Sequence, residues 1–325
     1  RPPPRPAAAV TPGARAGSPL RLTPAVRDAL AAGRPVVLLE SSVLAQGLPI
    51  PANRAAAEQM TAGVRASGAE PAVTAVVHGT PTLGLTDEEL ERFLRRDGVR
   101  KVSARDLAAA MHARADGATT VAATLALGAL AARDGHAVPV FATGGIGGVH
   151  RALPGLAAPL DESADLPELA RTPMVVVCAG AKSILDLPAT LERLETLGVP
   201  VVGYGTDTLP GFFTASTGLP VPHRADTPAD VATLYRHQRA LGRAEALLVV
   251  QPPPAEHALP ADVVDRAVDA ALAGAAAEGV TGPRVTPHLL AAVERATAGR
   301  SLAANLALLE ANARLAGSIA AALAH

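Results

Sequence analysis

The chain has 325 residues and a formal net charge of −1, and it is 49% hydrophobic but only 2% aromatic, so its core is built from Ala, Val and Leu. Near-neutrality leaves no basic footprint for nucleic acid, and two tyrosines with four phenylalanines leave little for base stacking. The sole cysteine, Cys178, excludes an intrachain disulfide and a thiolate metal cluster, and suits a reducing cytoplasm.

Residues 1–20 are proline-rich, contain no acid and lack the continuous apolar segment of a signal peptide, so they read as a disordered extension. From Pro35 onward, short apolar runs alternate with amphipathic segments. Candidate strands are Pro35–Glu40, Val73–His78, Val138–Thr143, Met174–Ala179, Val199–Gly203 and Leu247–Gln251. That alternation predicts βαβ units around a mostly parallel sheet. Thr86-Asp87-Glu88-Glu89 is a capping box that starts a helix through Arg95. Alanine-rich stretches near 261–279, 287–298 and 301–323 predict a helical C-terminal region. No apolar run reaches the length of a membrane span, and no repeat or linker divides the chain. Residues 21–325 are therefore expected to form one α/β domain.

Of the 29 basic residues only two are lysines, Lys101 and Lys182. Arginine replaces lysine wherever a positive charge suffices, but its guanidinium stays protonated and cannot act as an amine nucleophile. Both lysines are thus candidates for amine chemistry. Ligands of parallel sheets gather at the carboxyl ends of the strands. One candidate strand ends in Glu40-Ser41-Ser42, another in Thr143 and the loop Gly144-Gly145-Ile146-Gly147-Gly148, and a third in Gly180-Ala181-Lys182-Ser183. A glutamate, a glycine loop and a lysine are expected to converge.

Several of these features admit two readings. Glu40 is either a general acid whose pKa burial raises or a surface glutamate. The glycine loop either lets backbone amides approach an anion or sugar, or is a tight structural turn; it fits neither the dinucleotide fingerprint nor the phosphate loop. Gly117 through Val121 looks like a helix start, open to a phosphate or simply capped by Thr119 or Thr120. Asp161, Ser163 and Asp165 precede a helix, where Asp161 is either an N-cap or an oxygen ligand for a hard divalent cation. The nine histidines show no metal-ligand spacing, and His78, His150 and His223 carry no assignment. Cys178 sits inside an apolar strand and reads as an inert core thiol.

Taken together, the stretches LESSVLAQGLPIPAN, GLTDEELE, KVSARDL, GATTVAAT, VFATGGIGGVHR, DESADLPELARTP, VVCAGAKSILDLPATLERLETLGVPVVGYGTD, PHRADTP and SLAANLAL resemble the pseudouridine-5′-phosphate glycosidase family, which includes indigoidine synthase A-like proteins. They follow in family order from about Pro35 to the C-terminus, and AGAKSILD with VVGYGTD is the most specific pair. The resemblance implies a three-layer α/β/α protein, a homotrimer using Mn²⁺; the charge, the run lengths and the single cysteine add the expectations of no nucleic-acid or membrane partner and of the cytoplasm. It implies hydrolysis of pseudouridine 5′-phosphate to uracil and ribose 5-phosphate. Carried over residue by residue, Lys182 matches the Schiff-base nucleophile, Glu40 the proton donor and Asp161 the metal-binding aspartate. Lys101, Val121, Ser163, Ala164 and Asp165 match substrate-contacting positions, and Asn305 a further active-site asparagine. Attack by Lys182 requires a neutral amine, which apolar surroundings and a neighbouring cation favour.

Four places depart from the usual pattern: Ala104-Arg105 in place of a basic pair, Gln251 in place of an asparagine, Pro283-Arg284 near a usual glycine-lysine pair, and Ala311 in place of an asparagine. They bear on substrate affinity more than on reaction class. The alternatives are a related lyase acting on another pentose phosphate, a sugar-phosphate-binding protein without catalysis and, more weakly, a carbohydrate kinase.

Overall fold

The structure, a computed structural model, describes residues 18–151, 161–280 and 285–324. Most of the expected N-terminal extension, and the departure at Pro283, lie outside the described residues. Leu20, at the extension's end, packs against the core.

The elements run β1 (Arg21–Leu22), α1 (Pro24–Ala31), β2 (Val36–Leu39), a π turn (Val43–Gly47), α2 (Ala52–Ala66), β3 (Glu70–Val77), β4 (Thr80–Leu83) and α3 (Asp87–Arg95). Next come β5 (Arg100–Val102), α4 (Leu107–His112), β6 (Gly117–Thr119), α5 (Val121–Arg133), β7 (Val140–Ala142), β8 (Val149–His150) and α6 (Asp165–Leu169). Then follow β9 (Val175–Cys178), β10 (Leu185–Asp186), α7 (Leu187–Thr196), β11 (Val201–Tyr204), β12 (His223–Ala225), α8 (Pro228–Ala240) and β13 (Leu247–Val250). The C-terminal region is helical: α9 (Ala261–Ala277), α10 (Val285–Ala296) and α11 (Arg300–Ala324).

All six expected strands form. The runs Val-Val-Leu-Leu in β2, Val-Val-Val-Cys in β9 and Leu-Leu-Val-Val in β13 are buried throughout, as strands covered on both faces must be. The main sheet has the order β1-β4-β3-β2-β7-β9-β13-β11-β12, and β6 joins β3 to β5. Its pairs are parallel except where β3 meets β4 and β6. Helix α11 packs against α2 and α8, α5 packs against α6, and helices cover both sides of the sheet, giving the three layers. The capping box at Thr86 is present, with Glu89 closing it.

The helix α11 revises one expectation. It is long and apolar enough to span a membrane by length and composition, with mean hydropathy 1.3 over its best window, yet half of that window is buried inside the fold. Its contact with α2 is made close by glycines. A Cβ on Gly63 would stand 3.2 Å from the Glu310 carbonyl, and one on Gly317 would stand 2.8 Å from the Ser67 Cβ. Ser67 Oγ donates to the Arg314 carbonyl across the same contact (3.0 Å). This is a core helix, and it passes against β2, β7 and β9.

Candidate active site

The ends of β2, β7 and β9 lie side by side, because β7 pairs in parallel with both neighbours. Glu40 follows β2 directly and is 6% exposed, which removes the surface reading. The Thr143 hydroxyl, one residue beyond β7, donates to Glu40 Oε1. Burial raises the Glu40 pKa above the ordinary carboxylate value, opposed chiefly by the positive charge of Lys182 and the Thr143 hydrogen bond. The next residue is anchored too. Ser41 Oγ donates to the Thr74 carbonyl (2.6 Å) and accepts from the Thr119 amide (2.9 Å).

Lys182 follows β9 through a turn that only glycine fits. Gly180 has φ +85°, and a Cβ there would stand 2.4 Å from the Pro210 carbonyl. The turn is laced to the glycine loop: the Ile146 amide donates to Gly180 O and the Lys182 amide to Ile146 O, both at 3.1 Å. Lys182 Nζ then donates to the Gly145 carbonyl (2.8 Å). Close packing accounts for the glycines of this loop. An added Cβ would meet the Phe212 ring at 2.6 Å from Gly145, Ser163 Oγ at 2.2 Å from Gly147 and Thr190 Oγ1 at 2.3 Å from Gly148.

Lys101, in β5, completes the charge cluster. It is solvent-exposed as a residue, yet partial desolvation of its ammonium is the main cause lowering its pKa, followed by the positive charge of Lys182. Glu40 and Asp165 act on it in the opposite sense. The two lysines and two carboxylates therefore stand within one another's field, 81 positions of sequence notwithstanding between Lys101 and Lys182.

The start of α5 is filled by the protein itself. Thr120 caps it by accepting from the Ala123 amide, and Asp165 Oδ1 accepts from the Ala122 amide (2.9 Å). Asp165 Oδ2 accepts from the Gly147 amide (2.8 Å), so this buried carboxylate clips the glycine loop to the helix start. Ser163 Oγ accepts from the Asp165 amide (3.2 Å), while Val121 is buried at the first position of α5. Capping thus accounts for the Ala122 and Ala123 amides among those that the sequence offered to a phosphate.

Ala164 is exposed and is itself the N-cap of α6, so the N-cap reading of Asp161 falls. Asp161 is exposed, and its carbonyl accepts from the His150 amide (3.0 Å). Among the described residues no group of three His, Cys, Asp or Glu side chains gathers to hold a metal. The donor chemistry here fits only a hard cation that keeps most of its waters. Asn305, on α11, has a buried Oδ1 with no hydrogen-bond partner among the described residues, and it lies 3.6 Å from where a Cβ of Gly144 would be. Two of the sequence departures, Gln251 and Ala311, line one cleft of about 460 Å³. Arg105 is exposed, 3.6 Å from Asp106.

Sequence reasoning missed Thr143. Its signal was its place between an apolar strand and the glycine loop, where the side chain must face a neighbouring strand end. The pKa of the fully buried Cys178 thiol is pushed up to about 12 by burial, as an inert core thiol should be.

Comparison with known proteins gives a consistent picture. The family model described as indigoidine synthase A like protein matches residues 25–322. A pseudouridine-5′-phosphate glycosidase of Gemmatimonas aurantiaca is 66% identical over 93% of this chain and 96% of its own. The enzyme of the same name from Herpetosiphon aurantiacus is 50% identical over 94% of this chain and 98% of its own. Among solved structures, the prealnumycin C-glycosynthase AlnA in complex with ribulose 5-phosphate is 39% identical, with TM-score 0.84, over 94% of this chain and 97% of its own. An indigoidine synthase A-like protein of Thermotoga maritima is 34% identical, with TM-score 0.82 and the same coverage.

Proposed function

Since the chain belongs to the indigoidine synthase A like family and is an enzyme of it, we propose that it cleaves the C-glycosidic bond of pseudouridine 5′-phosphate, giving uracil and ribose 5-phosphate. The observation that carries this reading is the meeting of the only two lysines with a buried glutamate whose pKa is raised. A C-glycoside offers no leaving oxygen or nitrogen at the base, so paired-carboxylate protonation does not transfer to it. An amine nucleophile does. Lys182 Nζ attacks C1′ as the bond from C1′ to the ring oxygen breaks, and Glu40 delivers a proton to that oxygen, opening the sugar. The attacking nitrogen sheds a proton, which balances the one taken up at uracil C5. The nitrogen lone pair then expels uracil as the C1′–C5 bond breaks, leaving an iminium. Water adds to it, returning ribose 5-phosphate and the free amine.

The surroundings suit these roles. Burial keeps Glu40 protonated beyond the usual carboxylate range, as a proton donor requires. The Gly145 carbonyl aims the Lys182 amine. Lys101, with Val121 and the Ser163–Asp165 segment, frames the sugar phosphate, and the unpaired Asn305 Oδ1 awaits an N–H of the base. Asp161 would hold Mn²⁺, which would supply positive charge beside the phosphate through retained waters. The remaining proposals are that residues 21–325 act as one catalytic domain, as a homotrimer in the cytoplasm, and in the degradative direction.

One observation favours a second reading. AlnA is by name a C-glycosynthase, so the same site running toward bond formation, or accepting another base, is the runner-up. The test is to incubate the protein with pseudouridine 5′-phosphate and Mn²⁺, follow uracil release, and quench a portion with borohydride for peptide mapping. A ribose-phosphate adduct on Lys182, with adduct and turnover both lost in Lys182→Arg, supports the reading. Turnover without an adduct, under trapping conditions validated on a known Schiff-base enzyme, rejects the covalent step. Absence of turnover in folded, metal-loaded protein rejects the substrate.

A further inference from the structure

Asn312 lies on α11 at an i, i+7 spacing from Asn305, which places both on one face of the helix. It is 1% exposed, and its amide is fully engaged. Nδ2 donates to the Thr143 carbonyl (2.8 Å) and, more distantly, to the Gly144 carbonyl (3.4 Å). Oδ1 accepts from Gln251 Nε2 (2.9 Å), one residue beyond the end of β13.

The segment so held is the one that serves both reacting side chains. Thr143, at its start, gives its hydroxyl to Glu40, and Gly145, at its end, gives its carbonyl to Lys182 Nζ. Backbone pairing fixes this segment on one side only, through Thr143 N to Val177 O (3.0 Å) and Ala179 N to Gly144 O (2.9 Å). Asn312 supplies a hold from the helical layer. The two carbonyls decide which way that hold faces. They can only accept, so the Asn312 NH₂ must point at them, and its Oδ1 is left to accept from Gln251 Nε2, which secures the far end of the amide.

We infer that Asn312, secured by Gln251, is a positioning residue that fixes the Thr143–Gly145 segment so that Glu40 and Lys182 address the same carbon. It acts through that segment rather than on the substrate, and the inference rests on the roles given above to Glu40 and Lys182. The bland alternative is that a buried asparagine simply fastens α11 to the sheet, in which case its loss moves stability and leaves the chemical step alone.

Gln251→Met and Asn312→Leu separate the two, being close in volume and unable to make the bonds in question. Gln251 lies on the wall of an open cleft with Tyr204 and Arg314, so Gln251→Met keeps the test alive should Asn312→Leu fail to fold. Turnover of pseudouridine 5′-phosphate, thermal midpoint and hydrogen exchange of the peptide spanning residues 140–151 are measured together. The expected result is a kcat reduced about 10- to 100-fold, as for a reacting group misplaced by a fraction of an ångström to an ångström, with KM within about twofold. Exchange should quicken in that peptide alone. Adding Gln251→Met to Thr143→Ala should cost less than the two separate effects combined, since both act on one segment. Wild-type kcat in both variants, or a loss carried by KM, overturns the inference. Should wild-type protein show no turnover, the glycosidase reading falls, while unchanged exchange over 140–151 in the variants would still refute the hold and quickened exchange would still support it.

Discussion

Replacing Gly145 by alanine tests whether the glycine loop sets the reacting geometry. The backbone there permits alanine, since Gly145 is not among the residues of positive φ, so the effect comes from space alone. The new Cβ would stand 2.6 and 2.7 Å from two carbons of the Phe212 ring and 3.0 Å from the Gly180 carbonyl. The ring has little room to yield: Phe212 is 3% exposed, edge-on to Phe213 with centroids 4.6 Å apart. Restoring ordinary contact requires a shift of about 0.8 Å, which the loop must largely take up. The Lys182 Nζ bond to Gly145 O, now 2.8 Å, would then lengthen toward the limit of a useful hydrogen bond. Overpacking of this kind costs about 1–3 kcal/mol. For a domain of about 300 residues that is a fall of roughly 2–5 °C in Tm. The rate should suffer more, by about 100-fold in kcat, because the Lys182 amine is displaced from the geometry proposed for it. Scanning calorimetry and uracil release measure the two effects on one preparation. Adding Phe212→Leu should return part of the rate by giving the loop room. Gly145→Ala with wild-type kcat and Tm would refute the reasoning, since it would show that the loop moves without cost to the amine.

Three further outcomes follow from the site. Cys178, with its thiol at about 12 against an ordinary 9.0, should be alkylated by iodoacetamide at pH 8 on the order of a thousandfold more slowly than in the unfolded chain; labelling of the folded protein at the unfolded rate would contradict its burial. Glu40 has a folded pKa above its ordinary 4.5, so the stability it contributes is complete below the unfolded value and is lost as pH rises through the folded one. Glu40→Gln should therefore raise Tm relative to wild type at pH 7–8, with the gap closing near pH 4; a gap that widens in acid would reverse the assignment. Asp161→Asn should raise the Mn²⁺ concentration needed for half-maximal uracil release by about tenfold or more while the apo-protein Tm stays put, and an unchanged metal titration would remove Asp161 as the ligand.

The parallel core was legible because its strands are continuous apolar runs flanked by polar helices, a pattern set by burial of both faces. The short pieces β4, β5 and β6 were not: β5 and β6 have three residues each, and β6 reads Gly-Ala-Thr, with little of the β-branched signal of the core strands. That omission explains the misplaced helix start at Gly117, since Gly117 through Thr119 is strand and the helix begins only at Val121. The scarcity of lysine pointed to Lys101 and Lys182 on chemical grounds, and the structure brings their charges together. What spacing alone could not reveal was competition for partners. The α5 amides look free in the sequence because Asp165, which takes one of them, is 43 positions away. Thr143 and Asn312 were invisible for the same reason, each being polar residues whose meaning lies in a distant segment.

The long helix α11 has a consequence for the order in which the molecule is made. Asn305 and Asn312 both reside on it, and its dock, α2, was synthesised nearly 250 residues earlier, as the Ser67–Arg314 bond records. Contacts so distant in sequence are closed late and slowly, after local strand and helix pairs have formed. A nascent chain that has produced every strand of the sheet still lacks both asparagines. The scaffold therefore emerges before the helix that carries these two asparagines, and the site proposed above is among the last parts of the molecule to be completed.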